Sequence, residues 1–231
     1  MKVRSPENDS FACDPADCAD AEGAAVRRRL RLYFVAGSAD CDGAPERVLD
    51  AAIRGGITAF QFRNKGEGAL RGEAAWRTAV ALRERCRKAG ILFIVNDDPE
   101  LALRLDADGV HVGQDDESPE SVRSKLGRGK IIGVSAHNVE EARLAVKQGA
   151  DYLGVGPMYE TKTKPDAEPV CGPEMIRRMR DAGIRLPVVG IGGITPERAP
   201  LVLKAGADGV AVISAISRAP DPMQAARSFI R

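Results

Sequence analysis

"ADGVHVG", Ala107–Gly113, returns as "ADYLGVG", Ala150–Gly156, and again as "ADGVAVI", Ala207–Ile213. Each copy follows a stretch of helical period and opens a short run rich in valine and glycine. A helix-to-strand junction that recurs in this way marks a repeating βα unit, and such units place parallel strands side by side through helical crossovers. The strand candidates on either side are "LRLYFVAG", "ITAFQFR", "ILFIVND", "GVHVG", "KIIGVSA", "YLGVGPM", "LPVVGIGG" and "GVAVISA". Helix candidates lie between them, at Pro45–Arg54, Gly68–Ala89, Asn138–Gln148 and Pro196–Lys204, several closed by the glycine that a helix C-terminus favours. An open doubly wound sheet and a closed barrel both satisfy this alternation. Eight units in about 200 residues favour a single α/β domain of the (β/α)8 TIM-barrel class, although strand number alone does not prove closure.

The periodic region begins at Leu30, so the chain is divided into an extension, residues 1–29, and a barrel, residues 30–231. The extension is rich in Ala, Asp and Arg, lacks apolar periodicity, and is expected to be disordered. Its acids, Glu7, Asp9, Asp14, Asp17, Asp20 and Glu22, argue against an organelle transit peptide, and no apolar run resembles a secretory signal or a membrane span. Lys and Arg (34) nearly balance Asp and Glu (33), so no overall field recruits nucleic acid or an anionic membrane. The cysteines, at 13, 18, 41, 86 and 171, are odd in number and form no CxxC pair, which fits a reducing cytoplasm better than a disulfide framework or a structural zinc site.

In a barrel the active site lies at the C-terminal ends of the strands, so the residues that end each run can be read together. Strand two ends in Gln61, Arg63, Asn64 and Lys65, strand three in Asn96, Asp97 and Asp98, and strand four in Gln114, Asp115 and Asp116. Strand five ends in Ser135, Ala136 and His137, and strand six runs into "YETKTKPD", Tyr159–Asp166. Carboxylates delivered by two neighbouring strands can converge on a hard divalent cation, for which Mg²⁺ is the natural candidate. Arg63, Lys65 and Lys164 supply cations on the same face, as a polyphosphate requires. The plainer alternative is that Asp97 and Asp116 only cap the helices that follow. On the other side of the rim, "GIGGIT", Gly190–Thr195, offers a turn that a phosphate could approach, with Thr195 placed to cap a helix from Pro196 and Ser214 adding a hydroxyl. Two phosphate sites, one with a metal, suggest a transferase that joins a diphosphate ester to a monophosphate.

The same residues resemble the thiamine phosphate synthase family. The resemblance spans Leu30 to Ser217 and rests on "QFRNK", "IVNDDPELALRLDADGVHVGQDD", "GVSAHNVEEA", "GADYLGVGPMYETKTK", "VVGIGGIT" and "AGADGVAVISAI". It implies a (β/α)8 barrel that couples hydroxymethylpyrimidine diphosphate to a thiazole phosphate, with Mg²⁺, giving thiamine phosphate and pyrophosphate. By matching position, Gln61, Arg63, Lys65, Asn96 and Lys164 would bind the pyrimidine diphosphate with Ser135 beside them, and Phe62, Asn64 and Lys162 fall in the same substrate-contacting motifs. Asp97 and Asp116 would hold Mg²⁺, while Thr161, Thr163, Gly193, Ile213 and Ser214 would receive the thiazole phosphate. Arg63, Lys65, Lys164 and Ser135 would carry the catalytic work, acting on a diphosphate that leaves before the thiazole nitrogen traps a pyrimidine cation.

Two stretches depart from the family pattern: Asn64 stands where glutamate is frequent, and "VAGS", Val35–Ser38, replaces a commoner ending with Thr and Asp. His111, between Val110 and Val112, reads as a satisfied interior histidine, Trp76 as packing, and Cys171 as incidental. His137 supports a rival, since a related family of thiazole tautomerases shares the barrel and uses a histidine after strand five. A non-catalytic barrel that senses thiamine precursors is a third reading. The retention of Arg63, Lys65, Asp97, Asp116 and Lys164 together argues against both. The sequence leaves a homo-oligomer open.

Overall fold

The computed structural model describes residues 23–42, 44–161, 163 and 168–230. Eight parallel strands follow one another around a closed barrel: β1 Leu32–Ala36, β2 Ala59–Phe62, β3 Leu92–Asn96, β4 Gly109–Val112, β5 Ile131–Ala136, β6 Tyr152–Val155, β7 Val188–Ile191 and β8 Gly209–Val212. Closure is made by β1 against β8, in the register Leu32↔Val210, Tyr33↔Ala211 and Phe34↔Val212. The open-sheet alternative is thereby excluded.

Strand alternation sorts the core into two layers. Tyr33, Val35, Ala59, Leu92, Ile94, Tyr152, Val189 and Ala211 fill the interior of the barrel. Their neighbours Phe34, Phe60, Phe62 and Phe93 face outward, where adjacent rings meet at centroid separations of 5.5–6.5 Å beneath the helices. Each fully buried side chain of this size stabilises the fold by about 1.5–3 kcal/mol.

The ring of helices is α2 Pro45–Gly55, α3 Gly72–Ala89, α4 Pro99–Arg104, α5 Pro119–Leu126, α6 Val139–Lys147, α7 Gly172–Asp181 and α8 Ala199–Lys204, followed by α9 Ser214–Ser217 and α10 Pro222–Ser228. In α3 the buried positions Ala79, Leu82 and Cys86 recur at helical spacing, and Gly90 stops the helix at φ 67° while its N–H returns to the last turn. This helix starts later than its sequence pattern predicts, because Gly68 takes φ 79° and the chain is still a loop there. The start of α8 is also displaced. Thr195 donates its hydroxyl to Glu197 at 2.7 Å instead of capping a helix at Pro196, and residues 196–198 form a turn. No helix among the described residues is long and apolar enough to cross a membrane.

The expected division at residue 29 needs a correction. Residues 1–22 lie outside the described residues, but residues 23–29 form a helix, α1, that leads directly into Leu30. Val26 packs against the interior cluster to which Leu30 belongs, and Arg27 pairs with Asp208 at 3.3 Å while also reaching the Arg185 carbonyl. One valine between two alanines and three arginines carries no periodicity. The anchoring comes from ion pairs with distant strand starts, which a local pattern does not reveal.

Those strand starts explain the repeat. Asp108, Asp151 and Asp208 each precede an even-numbered strand, and each accepts a hydrogen bond from the start of the strand before it: from Phe93 N–H at 2.8 Å, Ile132 N–H at 2.7 Å and Val188 N–H at 2.8 Å. The amide of each aspartate donates back to the carbonyl of the same residue. Thr58 makes the fourth such clamp, accepting from Leu32 N–H at 3.0 Å. Two arginines reinforce the pattern from the helices: Arg123 binds Asp151 at 2.6 Å and Arg180 binds Asp208 at 2.7 Å. The aspartate of the repeat therefore clamps its strand to the one before it, at the face opposite the strand ends that carry the polar motifs.

Candidate active site

The mouth of the barrel is a cavity lined by Gln61, Arg63, Asn96, Ser135, Gly193 and Ser214, with contributions from every side of the rim. Its floor is a chain of hydrogen bonds. Gln61 Nε2 donates to the Tyr33 hydroxyl at 2.9 Å, the Tyr33 and Tyr152 hydroxyls lie 3.0 Å apart, His111 Nδ1 is 2.9 Å from the Tyr152 hydroxyl, and His111 Nε2 is 3.0 Å from Ser135 Oγ. Burial raises the pKa of both tyrosines, so they stay neutral. With Gln61 donating at one end, each proton is used when the bonds run in one direction: Tyr33 to Tyr152, Tyr152 to His111 Nδ1, and His111 Nε2–H to Ser135. With the bonds in that direction, the Ser135 hydroxyl accepts from His111 and can donate its own proton to a ligand.

On one side of this floor the acids gather. Lys65 Nζ touches the Asp97 carboxylate. Asp116 accepts from Gly113 N–H at 2.8 Å. Burial raises the Asp116 pKa, the Gly113 amide opposes this, and the neighbouring Asp97 carboxylate raises it further. The two acids are thus close enough to feel each other's charge. Neither is a helix cap: Asp98 accepts from Leu101 N–H at 2.8 Å to start α4, and Ser118 accepts from Ser121 N–H at 3.3 Å to start α5. Asp97 itself sits at φ 60°, a conformation an aspartate adopts at a cost, and its amide donates to the His111 carbonyl at 2.8 Å. Among the described residues no cluster of three His, Cys, Asp or Glu could hold a metal, so a cation here would take two carboxylates and complete its shell elsewhere.

The opposite side is built from backbone. Gly192 and Gly193 take φ values of 97° and 62°, and a Cβ on Gly193 would lie 2.5 Å from the Glu160 carbonyl oxygen. Only glycine fits this turn without strain. The carbonyls of Ile191 and Gly192 accept from Met158 N–H and Tyr159 N–H at 2.8 and 3.0 Å. Among the described residues the amides of Gly193, Ile194, Ser214 and Ala215 have no protein acceptor, and all four residues line the mouth. Thr163 Oγ1 lies 3.2 Å from Ser214 Oγ, bringing the loop after β6 against the start of α9.

A mouth with acids and cations on one side and open amides on the other can receive two different anions. Comparison with known proteins narrows this further. The sequence profile described as thiamine monophosphate synthase matches residues 32–216. The chain is 57% identical over 204 residues to the thiamine-phosphate synthase of Geobacillus kaustophilus, covering 88% of this chain and 92% of that one. It is 54% identical over 204 residues to that of Bacillus velezensis, covering 88% and 91%. The chain belongs to the thiamine monophosphate synthase family.

Within this family of enzymes the fold is shared as well. The solved thiamine phosphate pyrophosphorylase from Pyrococcus furiosus superposes with a TM-score of 0.78 at 35% identity, covering 89% of this chain and 96% of that one. A 3-hexulose-6-phosphate synthase, at 18% identity and TM-score 0.58 over 87% of this chain and 98% of that one, shares the fold alone.

Of the residues expected to contact substrate, Gln61, Arg63, Asn96, Ser135, Thr161, Thr163, Gly193, Ile213 and Ser214 line the mouth together. Lys65 and Asp97 stand beside it, at an outer cleft that shares Asn96. Lys162 and Lys164 lie outside the described residues. Phe62 and Asn64 also border that outer cleft, and not the mouth. Phe62 is turned into the outer layer by strand alternation and stacks on Phe93, so its side chain does not face the mouth. Asn64 also points away: its Oδ1 accepts from Ser38 Oγ at 2.7 Å and its Nδ2 donates to the Leu70 carbonyl at 2.7 Å. The stretch Val35–Ser38 and Asn64 therefore meet each other. Gly37 allows this, since a Cβ there would lie 2.2 Å from the Arg63 carbonyl oxygen.

His111 has the interior bonds expected of it, yet it also lines the mouth. His137 lines the mouth with Nδ1 held by Glu141 at 2.9 Å. Tyr33 and Tyr152 were hidden from the strand-end reading because they sit low in the barrel. A tyrosine at an inward position of each of two strands was their only signal.

Proposed function

We propose that this member of the family condenses 4-amino-2-methyl-5-hydroxymethylpyrimidine diphosphate with thiazole phosphate, or with its carboxylated form with loss of CO2, to give thiamine phosphate and pyrophosphate. The observation that supports this reading is the contrast between the two sides of the mouth, with charged side chains at and beside one and open backbone amides on the other. Arg63 and Lys65 border the side with the carboxylates, and the Gly193 turn and Ser214 form the other. The C–O bond between the pyrimidine methylene and the diphosphate breaks, and its electron pair leaves with the diphosphate. The thiazole nitrogen then donates its lone pair to the resulting pyrimidine cation, so no proton transfer and no protein nucleophile are needed.

Mg²⁺ fits the donor set. Asp97 and Asp116 supply two adjacent hard oxygen ligands whose mutual repulsion a dication would relieve, and Mg²⁺ commonly completes its shell with water and phosphate oxygens. Bound there, it would neutralise charge on the departing diphosphate. Arg63 and Lys65 would hold the diphosphate oxygens as charge builds on them. Gln61 and Asn96 would orient the pyrimidine, and Ser135 would present its remaining proton to it. Dehydration of the barrel interior by Val189, Ile191 and Ala211 would keep water from the cation.

The test is direct. Purified protein incubated with both substrates and Mg²⁺ should yield thiamine phosphate and pyrophosphate in equal amounts. Folded protein that releases neither product would overturn the reading, and isomerisation of the thiazole phosphate alone would favour the tautomerase alternative at His137. Ser214 adds a more local prediction. A hydrogen bond from its hydroxyl to a phosphate dianion is worth about 1.5–3 kcal/mol, so Ser214→Ala should raise KM for the thiazole phosphate about tenfold or more and leave KM for the diphosphate substrate near its original value. Equal changes in both constants in steady-state kinetics would count against the division of the mouth.

A further inference from the structure

Arg198 lies just before α8, outside every motif singled out in the sequence, yet it is tied to the turn behind the second anion site. Its Nη1 donates to the Gly193 carbonyl at 2.8 Å, and its guanidinium lies 4.5 Å from the centroid of the Tyr159 ring. The Gly193 carbonyl and the Ile194 N–H belong to one peptide group. Among the described residues that N–H has no acceptor. A charged donor on the oxygen of a peptide polarises the whole unit, making its N–H a stronger donor to an anion. The same bond holds the Gly193 carbonyl away from the mouth. With the Ile191 and Gly192 carbonyls already bonded to Met158 and Tyr159, three successive carbonyl oxygens are turned from the position an anion would occupy.

The geometry points to Arg198 as a positioning residue for the monophosphate substrate, acting through the Gly193–Ile194 peptide without touching the phosphate. This rests on the reading of that turn as the thiazole phosphate site. The stacked Tyr159 gives the arrangement a second part, because Tyr159 lies in the loop after β6 and donates its own N–H to the Gly192 carbonyl at 3.0 Å. Arg198 thus joins the two loops that border the site. A lysine preserves the charge but lacks the planar fork that bonds the carbonyl and covers the ring together.

The experiment uses the full chain and compares Arg198→Met and Arg198→Lys with the wild type, by kinetics and by calorimetry with thiazole phosphate and with the corresponding thiazole alcohol. Arg198→Met should weaken thiazole phosphate binding about fivefold, with KM for that substrate rising in step. Its affinity for the alcohol, KM for the diphosphate substrate, kcat at saturation and thermal midpoint should stay near wild-type values. Arg198→Lys should recover part of the lost affinity. Phosphate binding by Arg198→Met equal to the wild type would overturn the inference while leaving the proposed reaction intact. Parallel losses for the phosphate, the alcohol and the diphosphate substrate, with a lowered midpoint, would overturn it in favour of a purely structural role. A wild-type protein that forms thiamine phosphate but binds the phosphate no better than the alcohol would remove the site itself, and the inference with it.

Discussion

Asp97→Ala lowers turnover by about a thousandfold, and EDTA does the same to the wild type, if the carboxylate pair holds a cation on the leaving diphosphate; this is the rate equivalent of several kcal/mol of charge stabilisation. Asp116→Ala should behave alike, because removing either acid leaves one ligand where two converge. The neighbouring Asp98 provides the control. Its carboxylate caps α4 through Leu101 N–H at 2.8 Å, so Asp98→Ala should cost about 1 kcal/mol of stability and leave turnover largely intact. Measured pyrophosphate release that persists in EDTA, or that falls as far in Asp98→Ala as in Asp97→Ala, would dispose of the metal. Circular dichroism checks that each variant is folded.

The second large effect belongs to the opposite end of the barrel. Arg180 donates to the carbonyls of Gly206, Ile184 and Leu186 at 3.0, 3.0 and 2.7 Å and to Asp208 at 2.7 Å, with only 19% of its side chain exposed. Burial lowers its pKa, the Asp208 carboxylate opposes that, and the guanidinium remains charged. Arg180→Met leaves Asp208 and three carbonyls without this partner, and should destabilise the protein by about 3–5 kcal/mol in urea titration. By contrast Arg77, paired with Glu73 within α3 and 76% exposed, should lose only about 0.3–0.5 kcal/mol on the same substitution. Similar losses at the two sites would mean that the network at Arg180 has been overvalued.

The eight strands were legible in the sequence because each is a short apolar run bounded by glycine or by a helix signal, and the "AD" repeat announced a recurring βα unit. The rim was legible for a related reason: strand ends in a barrel converge whatever the loops between them do, so Asp97 and Asp116 could be placed together from their strands alone. Effects that run between loops were not legible. Nothing local to Ser38 or Asn64 shows that they bond each other at 2.7 Å, and nothing around Arg198 shows the carbonyl it reaches. Phe62 falls at the outer cleft and not at the mouth, because strand alternation turns every second residue outward. Helix starts slipped where a glycine at positive φ, as at Gly68, or a turn, as at residues 196–198, delayed the first turn.

The clamps at Thr58, Asp108, Asp151 and Asp208 have a bearing on how such a protein can change over generations. They sit at the strand starts, while the groups proposed to meet the substrates sit at the strand ends. A substitution in a rim loop therefore leaves the closure of the ring untouched, and a lineage can explore new chemistry there without first surrendering its scaffold. The bond between Ser38 and Asn64 lies wholly in this upper layer: it ties two rim loops together and touches none of the four seams below.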